Sequence, residues 1–573
     1  MAGEPSRTPK DLVTWQLHVS PQEAQPVAVT LPPVSDAELA TLRASNKRMV
    51  GVLKAQPEGR RVNIGVERPG AAILTPEAGA LRWLRVDGGR VAQVSITSPD
   101  AEALRVAYDL ANVPTTVELR FSGSANGRVE TPVRVGDIVD RTQPWWSPVT
   151  EGATQVAEFF VPDGSMLAAP RAVRVSHLFT TPSSAFAKRV QDIGSSGACN
   201  VDILCSPLAS DSAFANVVES VAQLVFQDGN LTGLCTGSLL NDSVTATQVP
   251  YFYSANHCFE NDVAPFKTPA QMQTVANSVS TIWGFQATTC GSLTPRANWT
   301  QVGGGSTYLY NNAKSDALFI RLNNAPPSYA FYSGWDAASL AVGASLVGIH
   351  HPNGDLKKVS QGTMQGFVTL SEPGPGGGSF INVLWSSGTT EAGSSGSGLW
   401  TASSVNGGTQ FLFHGALWGG SAACDNRSGT DNFSRFDQVY PSLSAYLGTG
   451  AAAPGPTFDF TDLWWSGPSQ DGWGLNLVQH PSKILFGVWY TYDTSGNRTW
   501  FNFSDGSWTQ TNVYTGTLYS VTGPPQSGTF DPSLVRRTPV GSVTLTFTDA
   551  NNATFNWTVN GASGTKTIAR FVF

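Results

Sequence analysis

All six cysteines of this 573-residue chain fall between positions 199 and 424. An even number of cysteines confined to one window points to a single disulfide-stapled domain in an oxidising compartment. No Cys-x-x-Cys pair occurs, which disfavours a zinc site and leaves no metal expected. The start Met1-Ala2-Gly3-Glu4 lacks the basic and apolar stretches of a secretory leader, which leaves a cytosolic protein or a secreted one whose sequence begins after its signal, and the cysteines favour the second. No apolar run is long enough to span a membrane. A formal net charge of −7 argues against nucleic-acid binding, which needs a basic face.

The same window holds three strings that carry chemistry. They are Ser254-Ala255-Asn256-His257-Cys258, Ser315-Asp316-Ala317-Leu318 and Gly393-Ser394-Ser395-Gly396-Ser397-Gly398. A serine hydroxyl is a poor nucleophile until a base takes its proton, and the base needs an orienting carboxylate. Ser395, framed by small residues, is the candidate nucleophile, with Ser397 as the alternative. His257 follows the apolar-aromatic run Tyr251-Phe252-Tyr253 and is the candidate base. Asp316 opens an apolar strand, where a buried carboxylate needs a partner, and His257 can supply it. The backbone N–H groups of Gly393 and Ser395 are the candidate oxyanion donors. His350 and His351 are adjacent, so on a strand they point to opposite faces and make a weak metal site. No cofactor is called for.

Composition shifts divide the chain. Residues 1–190 carry no cysteine and read as a β-rich module, with strands such as Val62-Asn63-Ile64-Gly65-Val66, Arg82–Val86 and Val117–Phe121, and a short helix over Asp100–Leu110. The module ends near the dibasic pair Lys188-Arg189. Residues 194–447 read as short strands with a helix over Ala213–Leu224 and a Pro/Gly loop at Pro373–Gly378. This segment holds eight Lys plus Arg against fifteen Asp plus Glu, a balance that attracts basic substrates or simply keeps the surface soluble. Residues 448–456 are a linker by composition. Residues 457–573 hold seven of the seventeen tryptophans and read as all-β, with hairpins at Ile484–Phe503 and Val543–Val559. Those aromatics form a core or a platform for a surface or carbohydrate ligand.

The order His, Asp, Ser is that of the chymotrypsin fold. Residues 194–447 resemble the bacterial lysyl endopeptidases, a branch of the trypsin-like fold with arginyl-specific relatives. The matching strings are Ser196–Ile203 around Cys199, Cys235-Thr236-Gly237-Ser238-Leu239, Asn256-His257-Cys258, Ser315–Leu318, Gly334-Trp335-Asp336, Ile349-His350-His351-Pro352-Asn353 and Gly393–Ser397. The resemblance implies an all-β-dominated chain with a chymotrypsin-like double β-barrel, flanked by an N-terminal pro-region and an accessory C-terminal β domain. It implies a serine endopeptidase, made as a zymogen, acting through an acyl-enzyme on peptides with Lys or Arg at P1; a monomer is expected. It also implies the pairs Cys199–Cys424, Cys205–Cys290 and Cys235–Cys258, where six cysteines alone allow fifteen pairings. Asp431 then stands at the base of the specificity pocket and His414 near the active site. Leu370 stands where the family has a Trp, which leaves arginine open beside lysine, and Gly398 where a Pro is usual. The rival readings are a serine endopeptidase of another P1 preference and a non-catalytic secreted binding protein.

Overall fold

The computed structural model describes residues 15–47, 61–68, 78–180, 196–243, 248–260, 266–370, 378–405, 408–448, 458–479, 485–504, 506–510, 512–525, 527, 530–531 and 534–572. Lys188-Arg189, residues 449–456 of the linker and residues 373–377 of the Pro/Gly loop lie outside them. The chain is dominated by β-structure, as expected. It divides into two compact units, one built from Pro9–Leu240 with Pro250–Ser442, the other mainly from Leu443–Phe573.

Within the first unit, the part that carries the motifs has two β-barrel halves. In the first half the strands run in the order Thr300–Val302, Ser280–Trp283, Val221–Asp228, Leu231–Leu240, Tyr251–Ala255, Ala317–Leu322 and Ser306–Asn312. They curve around Phe226, Phe252, Phe259, Met272, Trp283 and Ile320. The second half closes on itself. Its ring runs Lys358–Leu370, Ser345–His350, Gly398–Val405, Gly408–Gly420, Thr430–Ser434, Gly378–Ser387 and back to Lys358–Leu370. Leu346, Met364, Val383, Trp385, Leu417 and Phe433 fill it. Tyr253 of the first half packs on Phe413 of the second and on Phe436 of the helix Phe436–Leu447, at ring distances of 5.2 and 5.8 Å. Such aromatic contacts lock the two halves together.

Three disulfides join Cys199–Cys424, Cys205–Cys290 and Cys235–Cys258, and no cysteine is free. This is the pairing the resemblance implies.

The N-terminal segment is not a separate body. Its strand Val62–Glu67 lies between Leu231–Leu240 and Arg171–Leu178, so one sheet runs from the first barrel half into the N-terminal residues. Asp100–Leu110 corrects the sequence reading. Ala103–Asp109 is a strand, paired with Arg171–Leu178 on one side and with Trp145–Trp146 and Thr150–Glu151 on the other. Arg105 is buried there and donates to Ser147 O, Ser278 O and Ser280 Oγ. Those acceptors lie far along the chain, so tertiary burial overrides the local pattern. The helix over Ala213–Leu224 is also shorter than expected, at Ser212–Val218, because the β-branched Val221 and Val225 belong to the next strand.

The second unit is an antiparallel barrel. Eight strands, from Asp462–Trp465 to Ala562–Arg570, form a ring that closes where Asn502 meets Tyr519. Phe460, Trp464, Trp489, Trp508, Phe547 and Phe555 fill its interior, and Phe460 stacks on Phe547 at 3.6 Å. Closure removes the sheet edges that would otherwise invite pairing with other chains.

Candidate active site

His257 sits in the one-turn helix Asn256–Phe259 that ends the strand Tyr251–Ala255. Apolar neighbours on both sides bury the strand, and the disulfide at Cys258 ties the turn to Leu231–Leu240. The backbone N–H of His257 donates to Asp316 Oδ1 at 2.9 Å, and its Nδ1 lies 2.8 Å from Oδ2. A carboxylate only accepts, so Nδ1 carries a proton, and in the neutral tautomer the lone pair is the one on Nε2. That Nε2 is buried and has no hydrogen-bond partner among the described residues. Asp316 is 0% exposed and precedes the strand Ala317–Leu322 with a left-handed φ of 52°.

Ser395 lies in the turn before the strand Gly398–Val405 and is 3% exposed. Its carbonyl accepts from Thr236 N–H at 2.8 Å, and Cys258 Sγ lies 4.0 Å from the same oxygen. The residue after His257 therefore touches Ser395 across the two barrel halves. Gly396 is required here. Its φ is 81°, and a Cβ would stand 2.1 Å from Ser254 Oγ and 2.4 Å from Thr236 O. Ser397 is fully buried, and its carbonyl accepts from Leu417 N–H at 2.9 Å.

The peptide planes of the turn are also fixed. Ala392 O accepts from Asn353 N–H at 2.6 Å, and Ser394 O accepts from Ser397 N–H at 2.9 Å. In a trans peptide the N–H points opposite to the C=O. The N–H groups of Gly393 and Ser395 are thereby turned away from those two acceptors.

Asp431 lies on Thr430–Ser434, opposite Val383 on one side and Gly420 on the other. It is 0% exposed, and Oδ2 accepts from Trp385 Nε1 at 2.7 Å and Thr390 Oγ1 at 2.5 Å. Thr390 belongs to the loop that leads to Ser395. A Cβ on Gly420 would meet Asp431 Oδ1 at 2.5 Å, so the carboxylate lies against that glycine.

The segment Leu417–Gly420, which sequence reasoning passed over, runs between these residues. Gly396 N–H donates to Leu417 O and Leu417 N–H to Ser397 O, both at 2.9 Å. A bulge at Trp418 then carries the strand to Gly420 beside Asp431. A bulky residue followed by two glycines at the end of a strand was the available signal. His414, four residues earlier, has other company. Its Nε2 lies 2.9 Å from Thr401 Oγ1, and its charge is influenced by Asp336 and Asp437. Burial dominates and pushes its pKa down. No hydrogen bond among the described residues joins it to His257, Ser395 or Asp431.

Cys235, His257 and Cys258 offer ligand atoms within 4.8 Å of one another. The two sulfurs form a disulfide, so they provide no thiolates for a metal.

A protease of M. tuberculosis, solved in active and inactive forms, is 16 to 18% identical to this chain with TM-scores of 0.27 to 0.28, covering 42 to 43% of this chain and 87 to 97% of that one. Similarity this slight has no bearing on what the chain does. Two family models together match more of it: the lysyl endopeptidase N-terminal domain over residues 30–179 and the lysyl endopeptidase C-terminal domain over residues 193–434. A lysyl endopeptidase from Pseudomonas aeruginosa is 32% identical over 407 residues, which span 69% of this chain and 83% of that protein. On these matches, the chain belongs to the lysyl endopeptidase family, a family of proteases.

Proposed function

We propose that the chain is a secreted serine endopeptidase that cleaves peptide bonds after lysine or arginine. The observation that carries this reading is the buried His257–Asp316 pair, with Nε2 of the histidine unpartnered and Cys258 against Ser395. In the reaction, Ser395 Oγ attacks the scissile carbonyl and its proton passes to His257 Nε2. Asp316 holds the ring and stabilises the imidazolium. The N–H groups of Gly393 and Ser395 bind the oxyanion. His257 then protonates the leaving amine, and water resolves the acyl-enzyme by the reverse sequence. Asp431 receives the cationic P1 side chain, in a buried setting where a carboxylate favours a charged partner.

The zymogen reading rests on the shared sheet and on Arg61, whose Nη1 donates to Cys258 O at 3.0 Å and pairs with Asp228 at 2.7 Å. N-terminal residues thus reach the neighbour of His257. Secretion is supported by the three disulfides. A surface or carbohydrate ligand for the C-terminal barrel has support from Tyr490, Tyr492 and Trp500, which are exposed on one face of adjacent strands.

The test is cleavage of chromogenic peptides ending in Lys, Arg, Glu or Phe after processing is checked by mass. The wild type is expected to cut the Lys or Arg peptides, Ser395→Ala to cut none, and Asp431→Asn to lose the basic preference while still reacting at Ser395. Cleavage after Glu or Phe alone sinks the Asp431 assignment. Inactivity of correctly processed protein returns the binding-protein reading.

A further inference from the structure

The reaction above uses neither His350 nor His351, yet both are fully buried beside the nucleophile turn. His350 Nδ1 lies 2.8 Å from Ser394 Oγ, and its Nε2 lies 3.1 Å from Ser360 Oγ. Ser360 donates its single O–H to Thr389 O at 2.9 Å. Its oxygen therefore receives the Nε2–H of His350. Nδ1 is then an acceptor, and Ser394 O–H donates to it. Ser394 Oγ in turn accepts Glu391 N–H at 3.3 Å. Burial, aided by the Lys358 charge, pushes the His350 pKa down to about 3, which keeps the ring in the neutral form this network needs.

The following residues extend the same grip. His351 N–H donates to Thr236 Oγ1 at 3.2 Å, and that hydroxyl donates to Gly393 O at 2.9 Å. Asn353 N–H donates to Ala392 O at 2.6 Å, and its side-chain amide to Glu391 Oε2 at 3.1 Å. Each residue from 391 to 394 is thus held from the His350–Asn353 segment, directly or through Thr236. The four residues before Ser395 include Gly393 and the Ser394 carbonyl group, whose peptide supplies the Ser395 N–H.

We infer that His350 is a positioning residue for the reaction. By holding Ser394 and, through Ser360, Thr389, it sets the Gly393 and Ser395 N–H groups where the oxyanion forms. The inference rests on the reading of Ser395 as nucleophile. A residue that merely filled space would affect stability and leave turnover per folded molecule alone.

The experiment compares processed wild type, His350→Ala, His350→Asn and Ser394→Ala, with kcat expressed per site labelled at Ser395 by a fluorophosphonate. His350→Ala is expected to lower kcat about 10²-fold, the scale of a small misplacement at a reacting centre, with KM within about twofold. Binding of a lysyl aldehyde, which mimics the tetrahedral state, weakens by the same factor, while a product peptide ending in lysine binds as before. His350→Asn keeps an acceptor near the Nδ1 position and recovers at least about tenfold of the loss. The double variant His350→Ala with Ser394→Ala is no worse than His350→Ala alone, because that substitution already removes the contact Ser394→Ala would take away. Unchanged kcat per labelled site, or a loss confined to KM, overturns the inference. If His350→Ala does not fold, unchanged kcat in Ser394→Ala overturns it equally. A wild type that does not label at Ser395 removes the nucleophile reading itself and this inference with it.

Discussion

Asp316 combines two costs that a chain tolerates only for a return. Its carboxylate is buried, and its backbone sits at φ 52°, in the left-handed region that side chains avoid by roughly 1 kcal/mol or more. Both are offset by the two hydrogen bonds to His257. Asp316→Asn preserves the shape and tolerates the left-handed backbone, but its amide presents a donor or a weaker neutral acceptor to the ring and releases the tautomer. We expect kcat to fall about 10⁴-fold with the melting temperature little changed, measured by peptide hydrolysis beside calorimetry. A loss of less than tenfold means that Asp316 does not orient the base. The pairing of this residue with His257 was readable in the sequence, because a carboxylate beside Ala317-Leu318-Phe319-Ile320 has to find a partner. Its strain was not readable, since φ depends on how the preceding turn meets the helix of His257.

Among the elements, the helix Asn256–Phe259 is too short to hold itself. It depends on the Cys235–Cys258 bridge and on Asn256 N–H, which donates to Asp316 O at 3.2 Å. Replacing both cysteines by alanine opens a cross-link between residues 23 apart, which costs about 3 kcal/mol in the chain-entropy view. The activity loss should exceed what the unfolded fraction explains, because Cys258 also touches the Ser395 carbonyl. Denaturant midpoints and turnover per labelled Ser395 separate the two effects, and a loss of activity that tracks the unfolded fraction alone counts against a role for the bridge at the site. Hairpins of the C-terminal barrel were legible as alternating strands around Asp493–Asn497 and Asp549–Asn552, since turn chemistry and alternation are local signals. The strand Ala103–Asp109 was not, because its partners and the acceptors of Arg105 lie elsewhere in the chain.

Across the whole molecule, buried histidines contribute to the response to acid. Burial, with the Arg68 charge adding to it, pushes the His177 pKa down to about 4, and burial with Lys358 pushes His350 to about 3. His351 and His414 are held down as well, chiefly by burial. In the unfolded chain these groups return to about 6.5. Between the two values the unfolded state binds more protons, so stability rises with pH there. The contribution is complete above about pH 6.5 and is lost as pH falls toward the folded values. Each histidine adds a slope of about 1.4 kcal/mol per pH unit within its window. In uncleaved Ser395→Ala protein, the urea midpoint should drop steeply between pH 6 and pH 4. His177→Gln should flatten that drop, and a slope unchanged by that substitution means that His177 does not titrate on unfolding.

The sequence by itself put forward the candidate site residues and determined the β-rich character and the window that the cysteines staple. These follow from local composition: a histidine beside a cysteine, a serine between glycines, strands that alternate. It left the cysteine pairing open until resemblance chose one of fifteen. Tertiary structure decided that the N-terminal residues share a sheet with the first barrel half, that the C-terminal strands close at Asn502 and Tyr519, and that His350 meets Ser394 in the turn before Ser395. Each of these depends on which distant strand supplies the missing hydrogen-bond partner. Buried donors and acceptors must be satisfied, but a one-dimensional pattern does not name the groups that satisfy them.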